Sequence, residues 1–301
     1  MAKLRRENHD LPECYQKGFA DSSGKVWVKF RDAAEPQPRN PSSVGKNRNL
    51  YIRTGPDGTE NDAVEKFFDK DVENSFALLS QRIKDEKNQF SQISGVELGT
   101  LCRFVASQAV RTVAHKRCID TQAGATVDTN TFLRVMLRQM WTIMHFWTAN
   151  SPKIRFYTSL PYVGERYITG DNPVLVILVN DNPIWSPTSV PTLGITDVSD
   201  ILKNPNYGFL VTLSPYVCAS VHGQGGDGDP HLPPQKMEQR EVRLINNLIR
   251  GQSEKFTLAR DKDSLILSTP PSVGEPSTVA GGRPEETVSE SAQSTLRSSL
   301  R

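Results

Sequence analysis

Helical and strand-like periodicities are segregated along this chain, and that segregation limits the folds open to it. Apolar residues recur at steps of three and four over residues 61–87, at Val64, Phe68, Val72, Phe76, Leu79 and Ile83. Residues 96–117 and 131–148 carry two more helical patterns. Strand-like runs follow at residues 154–157, 166–169, 173–179, 209–214 and 216–222. Two others, at residues 25–30 and 49–52, flank a Pro-, Ser- and base-rich stretch, 33–49, that reads as a surface loop. A last helix is expected over residues 235–258, with Val242, Ile245, Leu248, Ile249 and Phe256 on one side. Helices followed by strands do not build alternating βαβ units. The expected class is α+β, with helices mainly from the first half packed on a mostly antiparallel sheet from the second.

Composition sets the boundary of the packed region. From residue 268 to 301, 19 of 34 residues are Ser, Thr, Pro or Gly, with no aromatic residue and no Ile. Such a stretch cannot offset an ordering cost of ~1–2 kcal/mol per residue. The expectation is a single folded domain over 1–267 and a disordered tail over 268–301. Cys14, Cys102, Cys118 and Cys218 form no CxxC pair, which fits a reduced, cytoplasmic protein without a cysteine-based zinc site. The longest apolar run, residues 174–179, falls far short of the ~20 residues needed to cross a bilayer. The basic opening residues lead into no apolar segment of the kind a signal peptide needs.

Net charge is +2, but its distribution is uneven. Residues 101–168 hold nine Lys/Arg and three acids, or +6; residues 169–235 hold six Asp and one Lys, or −5. A basic section beside an acidic one suits an anionic ligand held next to a catalytic carboxylate. The competing reading is mutual neutralisation across the fold.

Two helices carry polar residues where the pattern calls for apolar ones. On 96–117, Gln108, Thr112 and His115 fall near the centre of the face set by Leu101, Phe104 and Val105, with Arg111 at its edge. Such a strip is either a satisfied buried network or one wall of a pocket. On 131–148, Arg134, Arg138 and His145, flanked by Trp141, interrupt a nearly all-apolar helix. An Arg–aromatic stripe suits phosphate contact and base stacking; the plainer reading is the solvated side of a buried helix. Near residue 170, Asp171 and Asn172 stand before Pro173 at the entry to the apolar strand, either as a site or as an Asx-type turn. The loop 222–234 offers His222, Asp227, Asp229 and His231 but matches no closed metal motif, and no metal or cofactor is expected. Walker A, HExxH and GxSxG motifs are missing, and the Gly-rich loop opens no helix.

Read in order, several short segments resemble a bacterial domain-of-unknown-function family, number 4238 in its series. They are His9, Pro12, Tyr15 and Phe19; Gly24 and Trp27; an acidic helix from Val64 and Glu65 to Glu73; and Gln108, Arg111 and Thr112. Thr169, Gly170, Asp171, Asn172 and Pro173, then Leu213 to Pro215, and the Asn-bearing last helix (Asn246, Asn247) complete the set, over about residues 8–260. The chain departs from the family pattern at Asp10, usually Tyr; at Val113, usually Pro; and at Gly170, usually Ser. The resemblance implies a shared polar set of His9, Gln108, Arg111, Asp171 and Asn172.

A carboxylate, an amide, a histidine and an Arg-rich wall suit metal-free cleavage of an N-glycosidic bond. In this expectation Asp171 activates water or stabilises the developing cation, His9 assists the leaving group, and Asn172 and Gln108 orient the base or sugar. Arg111, Arg134 and Arg138 hold phosphates, and Tyr15, Trp141 or Trp147 stacks on a nucleotide drawn from the helix. The substrate is DNA or a nucleotide, with no membrane and no obligate protein partner; the family's bacterial, sporadic character suggests antiviral defence. The alternatives are a non-catalytic nucleic-acid-binding or regulatory module and, third, a metal-dependent nuclease using the 222–231 loop.

Overall fold

A computed structural model of the chain describes residues 4–84, 93–159, 165–178, 202, 207–222 and 231–266. By internal contacts the chain divides into Met1–Ser268 and Thr269–Arg301. The tail expected at 268–301 lies outside the described residues.

The described elements run β1 (Glu7–His9), α1 (Glu13–Gln16), β2 (Val26–Phe30), β3 (Gln37–Arg39), β4 (Lys46–Arg48), β5 (Arg53–Thr54), β6 (Glu60–Asn61) and α2 (Ala63–Phe67). A π-helical turn, Phe68–Glu73, joins α2 to α3 (Asn74–Lys84), followed by α4 (Gly95–Val110), α5 (Val113–Ala123) and α6 (Thr129–Asn150). Then come β7 (Lys153–Ser159), β8 (Thr169–Gly170), β9 (Val174–Leu178), β10 (Tyr207–Ser214), β11 (Val217–His222), β12 (His231–Met237), α7 (Gln239–Gln252), β13 (Phe256–Ala259) and α8 (Asp263–Ile266). The protein is α+β.

One sheet has five strands in the order β12-β7-β11-β10-β9, antiparallel except for the parallel β12–β7 edge. Alternation along its strands sends side chains to two different cores. Ile154, Phe156, Phe209, Val211, Ala219 and Val221 pack with Phe104, Met136, Met140, Ile143 and Trp147 of α4 and α6. The indole of Trp147 meets the ring of Phe209 edge-on, with centroids 5.5 Å apart. Tyr157, Leu175, Ile177, Leu210 and Cys218 face the other way and pack with Val242, Ile245 and Ile249 of α7. Each large apolar side chain fully buried this way contributes ~1.5–3 kcal/mol. A second sheet, β3-β2-β13-β8, is antiparallel throughout and carries the site described below.

Several boundaries differ from the sequence expectation. The helix expected over 96–117 is two helices, because Thr112 turns to φ −88°, ψ 157° and its hydroxyl accepts from the His115 N–H, capping α5. The last helix shrinks to α7 for a similar reason. Glu238 and Glu241 form a capping box at its start, and Phe256 belongs to β13, where it pairs with Phe30 of β2. The stretch 33–49 holds β3 and β4, whereas Asn49 has φ 60° and makes 49–52 a turn. Within 166–169 only Thr169 enters a strand. The side chain of Asn246 serves the backbone before it, accepting from the Ile168 N–H (3.1 Å) and donating to the Arg166 carbonyl (2.8 Å). The end of the first long helix, residues 85–87, lies outside the described residues.

Candidate functional site

Asp171 stands where the chain leaves β8. Its backbone N–H reaches the Phe256 carbonyl at 3.3 Å, continuing the pairing with β13. The carboxylate folds back on the chain entering β13, with Oδ1 accepting from the Glu254 N–H (3.0 Å) and Oδ2 from the Lys255 N–H (2.8 Å). Asp171 is 4 % exposed. Burial, reinforced by the negative charges of Asp10 and Glu254, pushes its carboxyl up to about 6, against the pull of the two backbone donors.

The neighbouring carboxylate, Asp10, is fully buried and was not selected from the sequence. Its Oδ1 accepts from the Leu11 N–H (3.0 Å) and its Oδ2 from Asn47 Nδ2 (2.7 Å). The Lys255 ammonium lies 3.7 Å from the same Oδ2 and donates to Asn47 Oδ1 at 2.8 Å. Burial raises the Asp10 carboxyl as well, and the charge of Lys255 only partly offsets it. Gly45, at φ +70°, makes room, since a Cβ there would stand 2.8 Å from Asp10 Oδ1. Two carboxylates from distant segments thus converge on half-buried Lys255, Asp10 on its ammonium and Asp171 on its backbone N–H. The resemblance marked Asp10 as a departure from the pattern without giving it a role, and that is the signal that could have found it.

His9 is placed differently. Alternation along β1 turns Asn8 and Asp10 inward and leaves His9 half-buried, its Nε2 3.4 Å from the Ser42 carbonyl. Its contribution to the interior is its own carbonyl, which accepts from Arg111 Nη2 at 2.7 Å. The chain from Asn8 to Asp10 therefore links two charged clusters. Asn172, next to Asp171, is 8 % exposed; its carbonyl accepts from Gln252, and its side chain makes no hydrogen bond among the described residues.

Arg111 is the centre of the second cluster, and the expectation that it holds a phosphate is corrected. It has no exposed surface, and its guanidinium donates to Glu73 Oε1 (2.7 Å), Tyr51 Oη (3.2 Å) and the His9 carbonyl while lying over the Phe68 ring at 4.3 Å. Glu65 lies beside it, with its carboxyl pushed up to about 7 by burial against the pull of Arg111. Tyr15 is likewise corrected as a stacking platform. It is fully buried, bonds Thr169 and Thr212, and packs between Phe19, Phe76 and Phe104. Trp147, the other buried aromatic, is core as well. Gln108 is fully buried with neither end of its amide hydrogen-bonded, so it faces no solvent-borne substrate in this conformation. His115 belongs to a buried contact with Gln139 (2.6 Å), and burial lowers its pKa to about 4.

Arg134, Arg138, Trp141 and His145 all lie on the exposed face of α6. On the five-stranded sheet, His222 Nε2 lies 2.6 Å from Ser220 Oγ, which is 3.2 Å from the Tyr157 hydroxyl. Burial, with Arg155 and Lys153 nearby, lowers His222 to about 4. Asp227, Asp229 and the side chain of His231 lie outside the described residues. Among the described residues no group of three or more His, Cys, Asp or Glu is placed to hold a metal ion, and no helix is long and apolar enough to cross a membrane.

Residues 7–151, just under half of the chain, match the family described as "Protein of unknown function (DUF4238)". The match runs from β1 to the end of α6. It includes Asp10, Asn47, Gln108, Arg111 and the exposed stripe of α6, and ends before Asp171, Asn246 and Lys255. The later motifs of the resemblance, from residue 169 onward, thus fall outside the matched residues. No curated protein and no solved structure matches the chain.

Proposed function

We propose that the chain is a hydrolase that breaks a glycosidic bond of DNA or of a nucleotide, using Asp171 and Asp10. The observation that carries this reading is the pair of buried carboxylates set against a single lysine, with the Asp171 carboxyl near 6. A carboxyl in that range gives and takes a proton near neutral pH, which hydrolysis by paired carboxyls requires. In this scheme Asp171 takes a proton from the attacking water as its oxygen bonds the anomeric carbon. The C–N bond breaks, and the departing base receives its proton from Asp10. Lys255, 40 % exposed at its side chain, forms the wall toward solvent and moves aside to admit substrate. The basic character of residues 101–168 supports an anionic substrate. Action on modified bases in antiviral defence remains part of the proposal and follows from the family's character alone.

Plain and base-modified DNA, incubated with the protein and then treated with alkali, should break at abasic sites. Asp171→Asn should slow this by ~10²–10⁴-fold, the usual contribution of a general acid or base. Intact strands on every substrate would sink the proposal, and cleavage that stops with EDTA would favour a nuclease. A second reading, a non-catalytic module, is favoured by the two backbone N–H groups that already occupy the Asp171 oxygens. It predicts no chemistry and a loss of stability in Asp171→Asn.

A further inference from the structure

We infer that the exposed face of α6 is a track for an unpaired nucleic-acid strand, with Trp141 as the stacking surface and Arg134 and Arg138 as phosphate contacts. This rests on nucleic acid being the substrate class proposed above and adds the strand state and the surface that binds it.

The spacing places the residues first. Arg134, Arg138, Trp141 and His145 are separated by steps of four, three and four, which puts them within about 60° of one another around the helix. They extend about 16 Å along its axis. All four are exposed, and Trp141 is 53 % exposed, whereas Tyr15 and Trp147 are buried. The Trp141 ring rests beside Phe67 of α2, with centroids 6.2 Å apart at 39°, so the ring is steadied by a neighbour while about half of it stays exposed.

Charge gives the second argument. The 22 residues of α6 contain no Asp or Glu, and the acid before them, Asp128, is committed to capping through Thr131. The positions three and four residues from Arg134 and Arg138 are Asn130, Thr131, Leu137, Val135, Trp141 and Thr142, besides the arginines themselves. Neither arginine has an ion-pair partner among the described residues. Two like charges one turn apart disfavour a helix unless an anion arrives from outside. A duplex would meet the cations but offer no base face to the indole. An unpaired strand satisfies both.

The test is fluorescence anisotropy of the full chain with labelled oligo-dT and with a duplex of equal length. Oligo-dT should bind more tightly. Trp141→Ala should weaken it by about 5- to 160-fold, the range for loss of one stacked base, and Trp141→Phe should recover most of that. Arg134→Gln with Arg138→Gln should reduce the slope of log K against log salt by about 1.4, at ~0.7 per phosphate contact on a single strand. Arg240→Gln, an exposed charge on α7, serves as the control and should leave binding unchanged. Unchanged affinity and slope in the α6 variants would overturn the inference, as would a preference for duplex or equal binding of an acidic polypeptide. Binding that depends on α6 without any abasic sites would leave this surface standing and remove the proposed reaction. Abasic sites formed equally well by the α6 variants would do the reverse.

Discussion

The protein buries charge in two adjoining clusters, and they solve the problem differently. Around Arg111 the ion is matched. One guanidinium meets Glu73, Tyr51, a carbonyl and an aromatic face, and its charge is opposed directly at 2.7 Å. Around Asp171 the balance is uneven, with two buried carboxylates and one half-exposed lysine whose ammonium lies 3.7 Å from Asp10 and whose backbone N–H serves Asp171. A matched cluster fixes geometry. A carboxyl outside such contact holds its proton more tightly, Asp171 in one cluster and Glu65 beside the other, because burial disfavours the negative charge. Segment 8–10 belongs to both, through the His9 carbonyl on one side and the Asp10 carboxylate on the other, so the cluster around Arg111 helps to position the one around Asp171.

Breaking the matched cluster should have the largest effect. Arg111→Met removes one partner of a buried pair and leaves Glu73, Tyr51 and the His9 carbonyl without their donor. The expected loss is about 3–5 kcal/mol in urea unfolding. A loss under about 1 kcal/mol would mean the cluster is not the fixed frame described above.

How much of this could be read from the sequence depends on the distance over which the deciding partner acts. The helical wheel alone marked Gln108, Arg111 and His115 as polar residues facing inward, and all three are buried. What decided their roles was long-range: Glu73 and the His9 carbonyl for Arg111, Gln139 for His115. No local pattern contains those partners. Asp171 was legible as a polar break at a strand's edge, but Lys255 was hidden inside an expected helix whose end is a strand. Its backbone N–H is available to Asp171 only because the chain leaves α7 before Ser253. The α6 stripe was legible in full, since exposure on a long helix follows from its own periodicity. The break at Thr112 was missed because the apolar spacing continues across it and only the cap reveals the turn.

The pH dependence of stability should isolate the contribution of Asp171. Asp171 has a folded-state pKa near 6 against 3.8 for the free group, so the native state holds the proton more tightly. Its contribution is fully present below about pH 3.8 and is lost as pH rises through 6, on the order of 2–3 kcal/mol at most. His115 and His222 run the opposite way. Both fall to about 4 from 6.5, so stability is lost as pH falls from 6.5 toward 4. Glu65, with its carboxyl pushed up to about 7, runs with Asp171, so two carboxyls oppose two histidines and wild-type urea midpoints should change little between pH 4 and 6.5. Asp171→Asn, which carries no titrating group, should gain relative to wild type as pH rises across that window. A difference that is flat, or that tilts the other way, would return Asp171 to a purely structural role.

Gly170 probes the backbone that holds the carboxylate. A Cβ there would overlap the Ser253 hydroxyl and stand 3.0 Å from the Phe256 carbonyl. Ser253 thus fills the space that a side chain at this position would occupy. Gly170→Ser should cost about 1–3 kcal/mol through overpacking. Adding Ser253→Gly should recover part of it, because the carbonyl contact remains. No recovery in the double variant would place the strain in the backbone rather than in the exchanged side chains.

The smallest effect is also the most direct reading of the unmatched cluster. The negative charge of Asp10 is one of the causes that raise the Asp171 carboxyl, but burial is the larger one. Asp10→Asn keeps the side chain's shape and removes that charge, so the Asp171 carboxyl should titrate lower than in wild type while staying above an ordinary aspartate. Carbon-detected NMR of the carboxyl resonances follows this directly. Because Asn47 already donates to Asp10 Oδ2, the new amide must present its oxygen to Asn47, which leaves its nitrogen toward Leu11 N–H and makes a modest loss of stability part of the same expectation. An Asp171 titration that does not move would show that the two carboxylates do not sense one another, and the pair would cease to be a pair. A full return to an ordinary value would show instead that Asp10, not burial, governs the proton, and would shift the reactive role toward Asp10.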